Sequence, residues 1–136
     1  MSKILDEKIL ETENFVVGQD REVPIVGFFI IASKDKNKKS ILDFSKAEFA
    51  ELINLQAEIR NLMKEVLQIE TVYFFQNEDS EHGFHIWCFP RFLWMEKFGR
   101  KIESVRPIMN FAKENMWTEE NLNSIKNSCE LIRKKI

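Results

Sequence analysis

The run Glu81-His82-Gly83-Phe84-His85-Ile86-Trp87-Cys88-Phe89-Pro90-Arg91-Phe92 (EHGFHIWCFPRF) decides how this sequence is read. It carries both histidines of the chain, and a strand that only fills a core needs neither. Side chains of a strand alternate between its faces. His85 therefore shares a face with Gly83, Trp87 and Phe89, while Phe84, Ile86 and Cys88 point the other way. His82 would project opposite to His85 in a regular strand. It stands at the strand mouth, however, where a turn or bulge swings a side chain back.

Working outward, "TVYFFQN" (Thr71 to Asn77) reads as a partner strand joined through the acidic turn Glu78-Asp79-Ser80-Glu81. Upstream, Ser45-Lys46-Ala47-Glu48 is a capping box, with Phe44 and Phe49 placed for a hydrophobic staple. Phe49, Leu52, Ile53, Ile59, Met63, Val66 and Leu67 then recur at helical spacing, so one long helix is expected to about Leu67. "EKILETENFVVGQD" reads as two short strands around Thr12-Glu13-Asn14. "PIVGFFIIAS" (Pro24 to Ser33) reads as a buried strand because it is β-branched and aromatic. The tail is helical, with a break or kink expected at Pro107. Thr118 caps a last helix whose Glu119 and Glu120 suit its dipole. Strands in runs around one long helix predict an α+β fold with a mainly antiparallel sheet. No repeat or linker divides residues 1–136, and residues 92–136 form a helical C-terminal extension of a single domain.

At 136 residues the chain is long enough to bury an ordinary core. Its 20 basic and 22 acidic residues give a formal charge of −2. No nucleic-acid partner is expected from that balance, because phosphate contacts call for basic clustering. The run Lys34 to Lys39 is the local exception and reads as a solvated loop. No apolar run is long enough to span a membrane, and "MSKILDEKIL" has no apolar segment of the secretory kind. Cys88 and Cys129 fit no disulfide framework or metal spacing and read as buried, reduced thiols. A cytoplasmic protein is expected. Glu78, Asp79, Glu81, His82 and His85 straddle a turn without metal-ligand spacing, so no metal or other cofactor is expected.

From Ile9 to Arg91 the layout resembles the histidine-triad superfamily of nucleotide hydrolases and transferases, diadenosine polyphosphate hydrolases among them. In that family a strand carries His-x-His-x-His followed by apolar residues and often Pro-Arg. Here the matching stretch is Gly83-Phe84-His85-Ile86-Trp87-Cys88-Phe89-Pro90-Arg91, which keeps only the middle histidine. The first position is Gly83 and the third Trp87. The family's Gly-rich phosphate loop is replaced by the shorter, acidic Gln76 to Glu81. Two further family histidines correspond to Phe28 and Lys36. The resemblance implies a HIT-like sheet of about five strands with extra C-terminal helices, and homodimers built on the long helix and an edge strand.

It also implies that His85 is the nucleophile that attacks phosphorus and carries a nucleotidyl intermediate. Neutral imidazole suits that role near pH 7, provided its other ring nitrogen is held as a donor. His82 would act as the acid or replace the missing first histidine; otherwise it is an exposed turn residue. Asp20 lies where the family places a carboxylate on the ribose hydroxyls. Asn77 is a candidate ligand contact from its strand end, and Arg91 a fork-shaped phosphate donor or else a surface salt bridge. Trp87 closes an apolar pocket or packs in the core. The expected activity is hydrolysis or nucleotidyl transfer on nucleoside phosphates or dinucleoside polyphosphates. The alternative is an inactive nucleotide-binding or dimeric interaction module on the same fold.

Overall fold

A computed structural model describes residues 4–136, so the first three residues of "MSKILDEKIL" lie outside it. Five strands form one antiparallel sheet: β1 (Lys8–Glu11), β2 (Phe15–Gln19), β3 (Phe29–Ser33), β4 (Val72–Phe75) and β5 (His85–Pro90). Their order is β1-β2-β3-β5-β4, which leaves β1 and β4 at the edges. Among the described residues three α-helices join the sheet, with short 3-10 turns between elements: α1 (Lys46–Glu65), α2 (Val105–Asn115) and α3 (Glu119–Lys135). This is the α+β arrangement expected from the order of the elements.

Strand alternation sorts the side chains into two apolar layers. Phe15 and Val17 of β2, Phe29 and Ile31 of β3, and Ile86 and Cys88 of β5 pack against Leu52, Leu55, Ile59 and Met63 of α1 and Ile125, Cys129 and Ile132 of α3. Each large apolar side chain buried there stabilises the fold by about 1.5–3 kcal/mol. On the opposite face Phe28 and Phe89 meet Val105, Ile108, Met109 and Ala112 of α2. The C-terminal helices therefore cover both faces of the sheet. Burial pushes the Cys88 thiol up to about 12 and that of Cys129 up to about 11.

The capping box at Ser45 forms: its Oγ accepts from the Glu48 amide, and the Glu48 carboxylate accepts from the Ser45 amide. Phe44 does not staple to Phe49. Its ring packs on Phe15 and Phe84, which anchors the helix entrance to the sheet, and Phe49 remains 41% exposed. Ile53 is exposed as well, so the inward stripe of α1 is narrower than its apolar spacing implies. Glu51 and Arg60, outward on a helical wheel, hold the neighbouring chain. Glu51 accepts from the Asn14 amide at 2.8 Å, and Arg60 donates to the carbonyls of Ile69 and Glu70 beyond the helix.

Two boundaries differ from expectation. "PIVGFFIIAS" becomes a strand only at Phe29, because Gly27 adopts a left-handed φ of 76° and Phe28 closes a turn onto the Ile25 carbonyl. A Cβ at Gly27 would lie 2.7 Å from Ile69, so packing as well as conformation calls for glycine there. Pro107 does not break a helix; it stands in the first turn of α2, where its missing N–H costs no hydrogen bond. Thr118 caps α3 as expected, accepting from the Asn121 amide. Among the described residues, no helix is long and apolar enough to cross a membrane.

Candidate functional site

Sheet alternation leaves Val16, Gly18, Ile30, Ala32, His85 and Trp87 on the face away from α1, where they floor a groove of about 880 Å³. Arg106, Met109 and Lys113 of α2 form one wall, and the turn from Asp20 to Val23 another. His85 and Trp87 also border a smaller concavity of about 190 Å³, lined by Phe75, Gln76, Asn77, Ile102, Val105 and Arg106. The strand that decides the fold thus presents its histidine at the boundary between two hollows.

His85 is half-buried, and its Nδ1 lies 2.9 Å from the Gly83 carbonyl oxygen. A carbonyl only accepts, so the neutral ring carries its proton on Nδ1 and leaves the Nε2 lone pair free. That tautomer is the one a nitrogen nucleophile requires. His82 is exposed on the turn, where its amide donates to the Ser80 hydroxyl. The turn brings its ring to 6.4 Å from that of His85, with the planes at 75°, so the two histidines meet at one end of the groove. Trp87 stands 6.5 Å from His85 and makes edge contacts with Phe28 and Phe75, which fix it as an aromatic wall.

Gly83 has a steric cause. A Cβ at this position would come within 2.9 Å of the Lys36 Cα and 3.2 Å of its carbonyl oxygen. The Lys34–Lys39 loop occupies the space that a first triad histidine would need. That loop is pinned: Lys34 pairs with Glu11, Lys38 with Glu48, and Lys39 donates to the carbonyls of Ser80 and Glu81. The lysine run is the exposed loop expected, tied to neighbouring segments by three of its lysines, and Lys36 borders the groove.

Asp20 lies on the groove with its carboxylate accepting from the amides of Glu22 and Val23 at 3.1 and 2.8 Å. Burial raises its pKa, outweighing those two amides. Asn77 belongs to the smaller concavity, where Gln76 Nε2 donates to its carbonyl. Arg91 borders neither hollow. Its guanidinium donates to the Gly99 carbonyl and the Ser104 hydroxyl and lies over the Tyr73 ring, so it clasps the segment entering α2. The structure thus gathers His82, His85, Asp20 and Trp87 on one groove, sets Asn77 beside it, and gives Arg91 a structural task. Arg106, Lys113 and Gln76 line the hollows without any sequence signal, since their placement depends on how the tail folds back. Among the described residues, no group of three or more His, Cys, Asp or Glu side chains gathers to hold a metal ion.

No protein-family model matches the chain, and no curated protein matches it in sequence. Solved structures do match. A histidine triad protein from Marinobacter aquaeolei is 12% identical, with a TM-score of 0.66 over 94% of this chain and 88% of its own. A zinc-bound histidine triad family protein from Mycobacterium smegmatis is 15% identical, with a TM-score of 0.63 over 96% and 87%. A HIT family protein from Bacillus anthracis is 20% identical, with a TM-score of 0.59 over 98% and 89%. The likeness extends well beyond Ile9 to Arg91 and takes in the C-terminal helices. At these identities it is a likeness of fold, and on that basis this chain has the histidine-triad fold.

Proposed function

We propose that the chain binds a nucleoside phosphate in the groove and cleaves it by hydrolysis or nucleotidyl transfer, with His85 as nucleophile. The observation that supports this most is the Nδ1 contact to the Gly83 carbonyl, which leaves Nε2 with its lone pair. In the proposed step Nε2 forms a bond to phosphorus and the bond from phosphorus to the leaving group breaks. The ring becomes cationic, and the Gly83 carbonyl favours that charge through Nδ1–H. His82, beside His85, supplies a proton to the leaving group. Water or an acceptor alcohol then attacks phosphorus and gives its proton to His82, the bond from phosphorus to Nε2 breaks, and His85 returns to its neutral form as the nucleotide leaves. Asp20 accepts from the ribose hydroxyls, Trp87 packs against the substrate, and Asn77 contacts the departing group from the smaller concavity. Substrates of this class are nucleoside phosphoramidates and dinucleoside polyphosphates such as diadenosine tetraphosphate. The protein would act in the cytoplasm as a homodimer.

A second reading is favoured by Gly83 and Trp87: a nucleotide-binding or dimeric interaction module without turnover. Thermal shift with AMP, ADP and GMP, paired with turnover of the two substrate classes by wild type and His85→Ala, separates the two. Turnover lost in the variant supports the enzyme. Ligand-induced stabilisation without turnover supports the binding module, and no shift at high ligand concentration rejects any nucleotide pocket.

A further inference from the structure

We infer that Arg106 is the phosphate-binding cation of this site, supplied by α2; the inference rests on the nucleotide reading above. A phosphorus centre under attack spreads charge over its non-bridging oxygens and needs donors there. Gly83 offers no side chain, and the Trp87 indole has a single N–H. His85 borders both hollows, so the phosphorus it attacks sits at their boundary. Lys36, Lys113 and Arg21 border the large groove only, whereas Arg106 borders both hollows together with His85 and Trp87.

The guanidinium of Arg106 is also uncommitted. Arg60, Arg91, Arg100 and Arg133 are held by carbonyls, carboxylates or a hydroxyl, and Arg21, uncommitted like Arg106, borders the large groove alone. Among the described residues, Arg106 has no hydrogen bond or ion pair, and its side chain is exposed. Its backbone is fixed: Val105 and Ile108 are buried on either side, and Ser104 is held by Arg91 and by the Lys101 carbonyl. A planar fork on an anchored first turn suits two phosphoryl oxygens at once. Arg91, expected to bind phosphate itself, instead holds the segment that delivers Arg106.

Calorimetric titration of the full chain with AMP and with adenosine tests this. Wild type is expected to prefer AMP. Arg106→Ala should bind AMP about tenfold to a hundredfold more weakly with adenosine affinity unchanged, because a charge-assisted hydrogen bond to phosphate is lost. Arg106→Lys should recover part of the loss, and circular dichroism should be unaltered. If Arg106→Ala binds AMP as wild type does while wild type still prefers AMP, the residue is wrong and the nucleotide reading stands. Equal weakening of adenosine would mark a structural role and overturn the inference. Wild type binding neither compound overturns both.

Discussion

His85 Nδ1 sits 2.9 Å from the carbonyl oxygen of Gly83, two residues earlier on the same strand. The position that lacks a histidine side chain thus orients the remaining one through its backbone. If this bond prepares a nucleophile, His85→Ala removes the covalent step while His82→Ala removes a proton donor. Turnover of a nucleoside phosphoramidate should fall by about three orders of magnitude or more in the first variant. It should fall about 100-fold in the second. Equal losses in both would contradict the division of roles, and single-turnover rates would show it.

Restoring the first histidine should harm the protein. Gly83→His places a Cβ against the Lys36 backbone, and that loop is tied down by Lys34, Lys38 and Lys39. The expected cost is about 1–3 kcal/mol, with Gly83→Ala nearly as costly because the clash begins at Cβ. Urea denaturation of both variants measures it. Wild-type stability in Gly83→His would show that the loop yields.

The strands, the Ser45 cap and the opposed faces of His85 and Ile86 were legible because they follow from local spacing and alternation. Asp20, His82 and Trp87 were named with His85 from the family resemblance and line the same groove, but what surrounds them was not legible. Pro24 to Phe28 looks extended by composition, but the left-handed Gly27 folds it into a turn that Phe28 closes onto the Ile25 carbonyl. Arg91 followed by an apolar tail gives no hint that its guanidinium closes onto Gly99 and Ser104. Glu51 and Arg60 fall on an outward helical face, yet Glu51 satisfies a loop amide far away in sequence and Arg60 the carbonyls of the loop that follows the helix. Arg106 enters the site only through packing of α2 on the sheet. Each of these depends on a tertiary contact, and helical or strand periodicity carries no record of it.

Asp20 sets up a trade between stability and binding. Burial raises its pKa in the folded chain, so the folded state holds the proton to higher pH than the unfolded one. The stability this contributes is present below the ordinary aspartate value, about 3.9, and is lost as pH rises through the raised folded value. Asp20→Asn keeps an oxygen for the Val23 amide and removes that loss. The gap in Tm between variant and wild type should widen in favour of the variant as pH rises through that range, then level off. The same change should weaken adenosine binding if the carboxylate accepts from ribose hydroxyls. A pH-independent gap in Tm would remove the electrostatic account.

Both cysteines should be inert in the native state. Cys88 and Cys129 are fully buried, and burial raises their pKa to about 12 and about 11, so almost no thiolate is present near pH 8. A chromogenic disulfide reagent should label neither thiol in native buffer and both in denaturant. Rapid labelling of either native thiol would contradict its burial.

The outward side of α1 carries Phe49, 41% exposed, and Ile53, 52% exposed, and Leu42 just before the helix is 88% exposed. Exposed side chains this apolar cost solubility unless covered. The strand β4 also ends the sheet with one free edge. A second copy of the chain, approaching along α1 and the β4 edge, would cover both. Ile53→Glu buries a charge in such an interface yet costs the monomer little, because the side chain lies outside the core. Light scattering after size exclusion should give twice the chain mass for wild type and the single mass for Ile53→Glu, with unchanged circular dichroism. A wild-type monomer at micromolar concentration would rule out the dimer, and a dimer that survives Ile53→Glu would move the interface away from α1.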